Sequence, residues 1–584
     1  MSTSNATLTL NQLLRQKFWP KAIYDVKPAD VETKSQKRVR QMCDAIRGKP
    51  NWTEKLKDAE IRARWSAEAT SGGFLKQEVA YALDKLDYFS SLHIPGTGIG
   101  MSTVEQVWLS DSLIDQETEA QLKEYVTILE DVPESNKDWH PNSNDQVLNL
   151  IHPSLFPLIY SRSHVLSTKI PTPKDALTLN TFGQAPGNHD SWRAFLKEHY
   201  KSSDEEFGSE YFMPEKPVPR NYYHTVKPES KFCWLPTEFD VAENGETTIK
   251  SYINNLHPVK HAAFYPTIAS IFSKFVPLLE QVLTDIAHAR PEYNIDPADR
   301  EAHYRLEPDY NREGEEGFDY DREYEEWKEM YSMTEQKPLP FVAPDRPTVP
   351  YSLRGRRLQA IVKMSNIILT PEKPEYEGGT WHVEALENER IVATGIYYYD
   401  IENITESNLA FRESIDWLSV NYEQHRFDQL KKDYTICDGD NEGEVLDGNV
   451  LISQPLGQIE AKNGRCIVFP NIYQHRVSGF RLADPTKPGH RKIFAFFFVD
   501  PSTKIPSTEI VPPQQQEWWS ETFMKTGRLT ELPDLIKNTI FDSVDFPISF
   551  KDANSIRLEL MAERKANEMG EDSTFEPYFS FCEH

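Results

Sequence analysis

Four runs rich in β-branched and aromatic residues, at 358–369, 391–399, 464–470 and 493–499, commit the middle of this chain to sheet. The last of them, Ile493-Phe494-Ala495-Phe496-Phe497-Phe498-Val499, is apolar throughout, as a strand covered on both faces must be. Thr370-Pro371 ends the first run, and Gly378-Gly379 allows a tight approach to the next segment, Thr380-Trp381-His382-Val383-Glu384. Residues i and i+2 of an extended segment point to one side, roughly 7 Å apart. His382 and Glu384 can therefore face one shared atom, and His475, just beyond the strand ending in Phe469-Pro470, supplies a second imidazole. Two imidazoles and a carboxylate are a donor set that holds Fe(II) and leaves coordination positions open.

The tripeptide alone is a weak signal. With 16 histidines in 584 residues, roughly two or three His-x-acid matches are expected by chance, yet His382 is the single histidine with an acid two positions on. The flanking strand patterns are what raise it above a surface His and Glu on a sheet edge. His490 competes with His475 for the distal position. His475 is preferred because it closely follows the Phe-Pro strand, whereas His490 adjoins the turn composition Asp484-Pro485-Thr486-Lys487-Pro488-Gly489.

If that turn pairs residues near 480 with residues near 489, Arg491 lies some three residues along the ladder from His475, about 10 Å away. The offset suits a small dicarboxylate with one end on a metal and the other on a guanidinium, whose planar fork binds carboxylate in a way lysine cannot reproduce. Alternation along the strand puts Lys492 on the opposite face. A hairpin-end surface charge is the plainer reading of Arg491 taken by itself.

Strand, His-x-Glu, further strands, a Phe-Pro strand leading to His, then Gly-x-Arg: over residues 350–502 this order resembles the Fe(II)/2-oxoglutarate-dependent oxygenases. The resemblance implies an α+β protein with a double-stranded β-helix (jelly-roll) core. It also implies metal-ligand roles for His382, Glu384 and His475, a cosubstrate anchor at Arg491, and Fe(II) with 2-oxoglutarate as cofactors. The implied activity is O2-dependent oxidation of a small-molecule or amino-acid-like substrate; hydroxylation, desaturation, cyclisation and demethylation all remain open. Two departures are visible: Glu384 stands where most of that superfamily has Asp, and the His475–Arg491 gap is long, which keeps Lys492 and Lys363 open as anchors. A cupin-type metal oxygenase without 2-oxoglutarate and a non-catalytic jelly-roll interaction protein are the alternatives. More widely, WLPTEFD, SYINNLHP, LTPEKPEYEGGTWHVE, IYYYDIENIT and KPGHRKI resemble a large fungal family catalogued only as a domain of unknown function.

The expected organisation is an α-rich accessory region at 1–345, the metal-binding core at 346–505, and a helical segment at 506–584 that packs on it. Within the first region, Ser102-Thr103-Val104-Glu105 has a capping-box pattern that predicts a helix start. Residues 262–286 have helical periodicity, with Pro266 and Pro277 able to kink or divide the helix. Gly96-Thr97-Gly98-Ile99-Gly100 lacks the glycine spacing of a nucleotide loop and reads as a turn. His257 and His261 lack the glutamate of a zinc-protease motif. The acidic run 307–333 reads as a solvated helix and loop. Trp381 reads as packing or as a wall of the substrate pocket, Tyr397 and Tyr399 as core packing or as a hydrogen bond to cosubstrate, and residues 403–462 with the N-terminal region as the place where substrate is chosen.

A formal charge of −27 disfavours nucleic acid and anionic membrane as partners. No apolar run reaches the roughly 18 residues of a membrane span. The five cysteines are scattered, odd in number and without a Cys-x-x-Cys pair, so reduced thiols of a cytoplasmic protein are expected.

Overall fold

The computed structural model describes residues 29–580 except 167–171, 178–182, 201–228, 289–292, 295–307, 333–336, 348–350, 385, 417–432, 436–448, 452, 525–530, 534, 537–538, 540–542 and 570–577. Much of the 403–462 stretch, together with Cys437 and Cys582, lies outside the described residues. The strands that matter here are β1 (Ala29–Asp30), β2 (Gly100–Met101), β3 (Trp108–Ser110), β4 (Asp138–Trp139), β5 (Val147–Ile151), β6 (Thr237–Val241), β7 (Thr247–Ile249), β8 (Arg356–Leu369), β9 (Glu375–Tyr376), β10 (Ile391–Glu402), β11 (Asn408–Asp416), β12 (Ser453–Glu460), β13 (Cys466–Pro470), β14 (Gln474–Val477), β15 (Phe480–Arg481) and β16 (Gly489–Val499).

These make a mixed α/β fold around two large, mainly antiparallel sheets. The larger runs β2-β3-β13-β10-β16-β8-β5-β4, with β6 also on β8 and β7 on β6. The smaller runs β1-β11-β12, with β14 paired to β11. Each long strand divides its residues between two environments, because successive side chains alternate in face. Met364, Phe494, Phe496 and Phe498 pack with Phe272 and Phe275 of helix α1 (Tyr265–Ala287). Ile361, Ala495 and Phe497 pack instead with Phe411 of β11 and Phe469 of β13. Gly395 of β10 permits the first of these layers: a Cβ there would meet the Phe275 ring at 2.8 Å.

Helix α1 is continuous, with Pro266 in its first turn and Pro277 inside it. Ser102 does not start a helix. Its hydroxyl is bonded to the Val104 backbone in a local turn, Val104 and Val107 are buried, and the next helix begins at Gln116, capped by Asp115. Residues 96–100 form the expected turn, bridged between Ile94 and Ile99. The accessory region is less separate than its composition suggests, since β2–β7 all come from residues before 345 and extend the larger sheet. C-terminal to the core, helices span Gln516–Met524 and Phe550–Met569. No helix among the described residues is long and apolar enough to cross a membrane.

The expected hairpin between residues near 480 and 489 does not form. β15 pairs with β9, while β16 enters the larger sheet between β8 and β10. The turn at 484–488 therefore carries the chain from the two-stranded β9–β15 sheet into the larger one, and His475, on β14 of the smaller sheet, and Arg491 stand on different sheets.

Candidate metal centre

The approach to the centre is built by glycine. Gly378 has φ +107°, and a Cβ there would lie 2.8 Å from the Val477 carbonyl, so only glycine fits comfortably. Gly379 donates its N–H to the same carbonyl at 2.9 Å, which lays residues 378–384 alongside β14. His382 and His475 then exchange both backbone hydrogen bonds, at 2.9 and 3.2 Å, in an antiparallel bridge. Downstream, Asn471 fixes Glu384: its Oδ1 accepts the Glu384 N–H at 3.0 Å, and its Nδ2 donates to the carbonyls of Glu384 at 2.5 Å and Ile391 at 3.0 Å. Asn471 was not legible as a site residue; its position just after the Phe-Pro strand was the available signal.

Side chains converge accordingly. The Nε2 atoms of His382 and His475 lie 3.6 and 3.7 Å from Glu384 Oε1, and one ligand atom from each residue falls within 4.8 Å of the others. Two donors that each sit about 2.1 Å from one ion are roughly 3–4 Å apart, so the set fits a small divalent metal. His382 Nδ1 faces the Thr380 carbonyl at 2.8 Å, which holds the proton on Nδ1 and turns the Nε2 lone pair inward. Burial, with the neighbouring His382 second, takes His475 down to about 4, so its ring is neutral at physiological pH. Burial alone would raise the Glu384 carboxyl; contacts with His382 and His475, and then the charge of Lys363, hold it well below the usual range. A neutral imidazole and an ionised carboxylate are the forms that bind metal.

Arg491 is 2% exposed. Its Nη2 donates to the Tyr398 hydroxyl at 3.3 Å, and its guanidinium carbon lies 4.9 Å from that ring's centroid. Its Nε is buried without a partner, and among the described residues no carboxylate pairs with it. Ile367, opposite Arg491 on β8, packs with Phe480 of β15, and Val477 of β14 in the smaller sheet lies against the same cluster. Lys492 turns the other way, to Glu130 at 2.9 Å and Asp400 at 3.8 Å. His490 donates to Asp400 at 2.8 Å and is not part of the cluster. Tyr397 and Tyr399 belong to the core beneath helix α1, with the Tyr399 hydroxyl donating to Asn366. Tyr398, between them and so on the opposite face, is the tyrosine that meets Arg491. Trp381 lies between the guanidiniums of Arg412 and Arg476, at 4.8 and 4.7 Å.

The chain matches, over residues 81–522, the family described as "Protein of unknown function (DUF4246)". It belongs to that family. The DUF4246 match takes in every residue of the cluster together with Arg491, Tyr398 and Asn471. No curated protein matches the chain. Among solved structures, a bsmA homologue from Methylobium petroleophilum PM1 is similar at 6% identity and a TM-score of 0.15 over 26% of this chain, which spans 44% of that protein. The Fe(II)/(alpha)ketoglutarate-dependent dioxygenase TqaL is similar at 13% identity and a TM-score of 0.16, over 40% of this chain and 84% of TqaL.

Proposed function

We propose that this chain is a non-haem Fe(II)- and 2-oxoglutarate-dependent oxygenase that oxidises a small molecule, most simply by hydroxylation. The observation that carries the reading is the pairing of two unfinished sites inside one fold. His382, Glu384 and His475 offer three protein ligands to a metal, and Arg491 is a buried guanidinium with no acid to balance it among the described residues. Burying an unpaired charge costs several kcal/mol, so such a cation implies an anionic ligand. The strand order supports a jelly-roll core: β8, β10, β13 and β16 lie in one sheet, and β11, β12 and β14 with the bridged 382 segment lie in the other, so the chain passes repeatedly between the two.

When bound, Fe(II) would supply O2 activation and C–H oxidation coupled to decarboxylation of 2-oxoglutarate. The protein's own contributions are positional. His382, Glu384 and His475 would hold the ion as its three protein ligands. Arg491 and the Tyr398 hydroxyl receive the cosubstrate's far carboxylate. Phe469 and Phe411, whose rings lie 4.8 and 6.4 Å from the His475 ring, keep water from its buried side. Small metabolites screened with Fe(II) and 2-oxoglutarate should include some that raise succinate release above the uncoupled rate. Failure to form any succinate, even uncoupled, would refute the reading.

A further inference from the structure

A second cation shares the inner face of the larger sheet with Arg491. Lys363 of β8 pairs with Ala495, and Ile367 pairs with Arg491, so the two cations stand four residues apart on one face of the ladder. Lys363 is half-buried, its Nζ 6.0 Å from the Phe497 ring centroid, and among the described residues it has no ion pair or hydrogen bond. Its charge reaches Glu384, but that carboxylate is committed to the metal cluster. On the other side of Lys363, β5 ends with Ile151 opposite Met364, so His152 follows directly after the last ladder pair, within reach of the lysine's charge. The His152 and His140 rings lie 5.6 Å apart.

The hydrogen bonds assign both tautomers. His152 Nδ1 accepts from the Ser154 N–H at 3.2 Å, so the neutral ring carries its proton on Nε2. His140 Nδ1 donates to the Pro141 carbonyl at 2.9 Å, which leaves Nε2 as an acceptor. Burial first, and Lys363 second, keep both rings neutral by lowering their pKa values. Asn149, opposite Ser365 on the same two strands, is 5% exposed and has an amide oxygen without a partner among the described residues.

We propose that Lys363 and His152 form a second anion subsite beside the metal centre, which takes a carboxylate or phosphate group of the substrate. The Nε2 lone pair of His140 then accepts from a neighbouring hydroxyl or ammonium group of the same molecule. Arg491, the deeper of the two cations, is left to the cosubstrate. The proposal rests on the oxygenase reading for the identity of its occupant, while the subsite rests on its own residues. A substrate held here by its charge presents a nearby carbon to the metal, which restricts substrates to anions.

The test is calorimetric titration of the metal- and 2-oxoglutarate-loaded protein, under anaerobic conditions, with acetate and separately with inorganic phosphate. Wild type should bind at least one of them, and the preferred probe distinguishes carboxylate from phosphate substrates. Lys363→Met should weaken that binding about tenfold or more, the loss expected for one charge-assisted hydrogen bond, and leave 2-oxoglutarate affinity within about twofold. Lys363→Arg should retain probe binding, which controls for loss of structure. Probe binding that is unchanged in Lys363→Met overturns the proposal, and so does loss of 2-oxoglutarate binding in that variant. If wild type takes no 2-oxoglutarate but still shows Lys363-dependent probe binding, the subsite stands and the oxygenase reading falls.

Discussion

His382 and His475 are bridged residue to residue, each donating its N–H to the other's carbonyl, and their rings lie 4.4 Å apart between centroids. Their sequence separation is 93 positions, yet the backbone fixes the two imidazoles as a cross-strand pair before any metal is considered. Such a pair needs only one more donor from the same side, and Glu384 supplies it.

Replacing either histidine by alanine should therefore abolish iron binding and leave the fold intact, because the backbone bridge does not use the rings. Equilibrium dialysis against Fe(II) with circular dichroism on the same sample checks both halves. Full iron affinity in either variant would remove the assignment. Glu384→Asp should bind more weakly than wild type, since the shorter side chain draws the carboxylate back from two imidazoles held in place.

Arg491→Met should raise the 2-oxoglutarate concentration required for succinate release by roughly one to three orders of magnitude, as expected for loss of a buried charged pair. Iron affinity should barely change. Lys492→Met should do neither, because Lys492 faces Glu130 on the far side of the sheet. The opposite ranking of the two variants would mean that the anchor has been misplaced.

Asn471→Leu should lower both thermal stability and metal affinity. It removes one acceptor and two donor contacts at buried backbone and leaves the Glu384 N–H unpaired, a loss of about 2–3 kcal/mol. Thermal melts with and without Fe(II) separate the two effects: the metal-induced rise in melting temperature should shrink as well. A variant that melts like wild type would show that the clamp contributes nothing.

Acid should weaken the fold through Asp400. The hydrogen bond from His490, with the charges of His490, Lys123 and Lys492, outweighs burial and takes its pKa down from 3.8 to about 2. A carboxylate depressed in the folded state contributes stability in full above its unfolded value and loses it as pH falls toward the folded one. This contribution should thus be present above about pH 4 and gone near pH 2. Denaturant titrations of wild type and Asp400→Asn should diverge most at neutral pH and converge by pH 2. His490→Gln should share that loss while binding iron normally.

The sheet and the His382–Glu384–His475 cluster are legible because both rest on local patterns. Residues 358–369, 391–399, 464–470 and 493–499 all lie in or across strands β8, β10, β13 and β16, and the His-x-Glu spacing reports a shared side of the chain directly. Partners were less legible. The turn at 484–488 announces a reversal, but its composition cannot say that β16 will insert between β8 and β10 instead of pairing with its predecessor. For the same reason Tyr398, buried between two tyrosines that face helix α1, was passed over for its neighbours. Ser102 and Glu105 have the letters of a capping box, but Val104, Val107 and Trp108 are buried in a turn and strand instead. The six short strands β2–β7 have little pattern of their own; β3, β5 and β6 pair with the long strands β8 and β13, and β2, β4 and β7 pair with those three in turn.

The most direct measurement is anaerobic Fe(II) titration of the purified protein, with and without 2-oxoglutarate, followed in the visible spectrum. The expected outcome is stoichiometric iron binding and a metal-to-ligand charge-transfer band that appears only when both are present, disappears in His475→Ala and needs far more 2-oxoglutarate in Arg491→Met. Iron binding with no band at any 2-oxoglutarate concentration would contradict the cosubstrate, and no iron binding at all would contradict the centre itself.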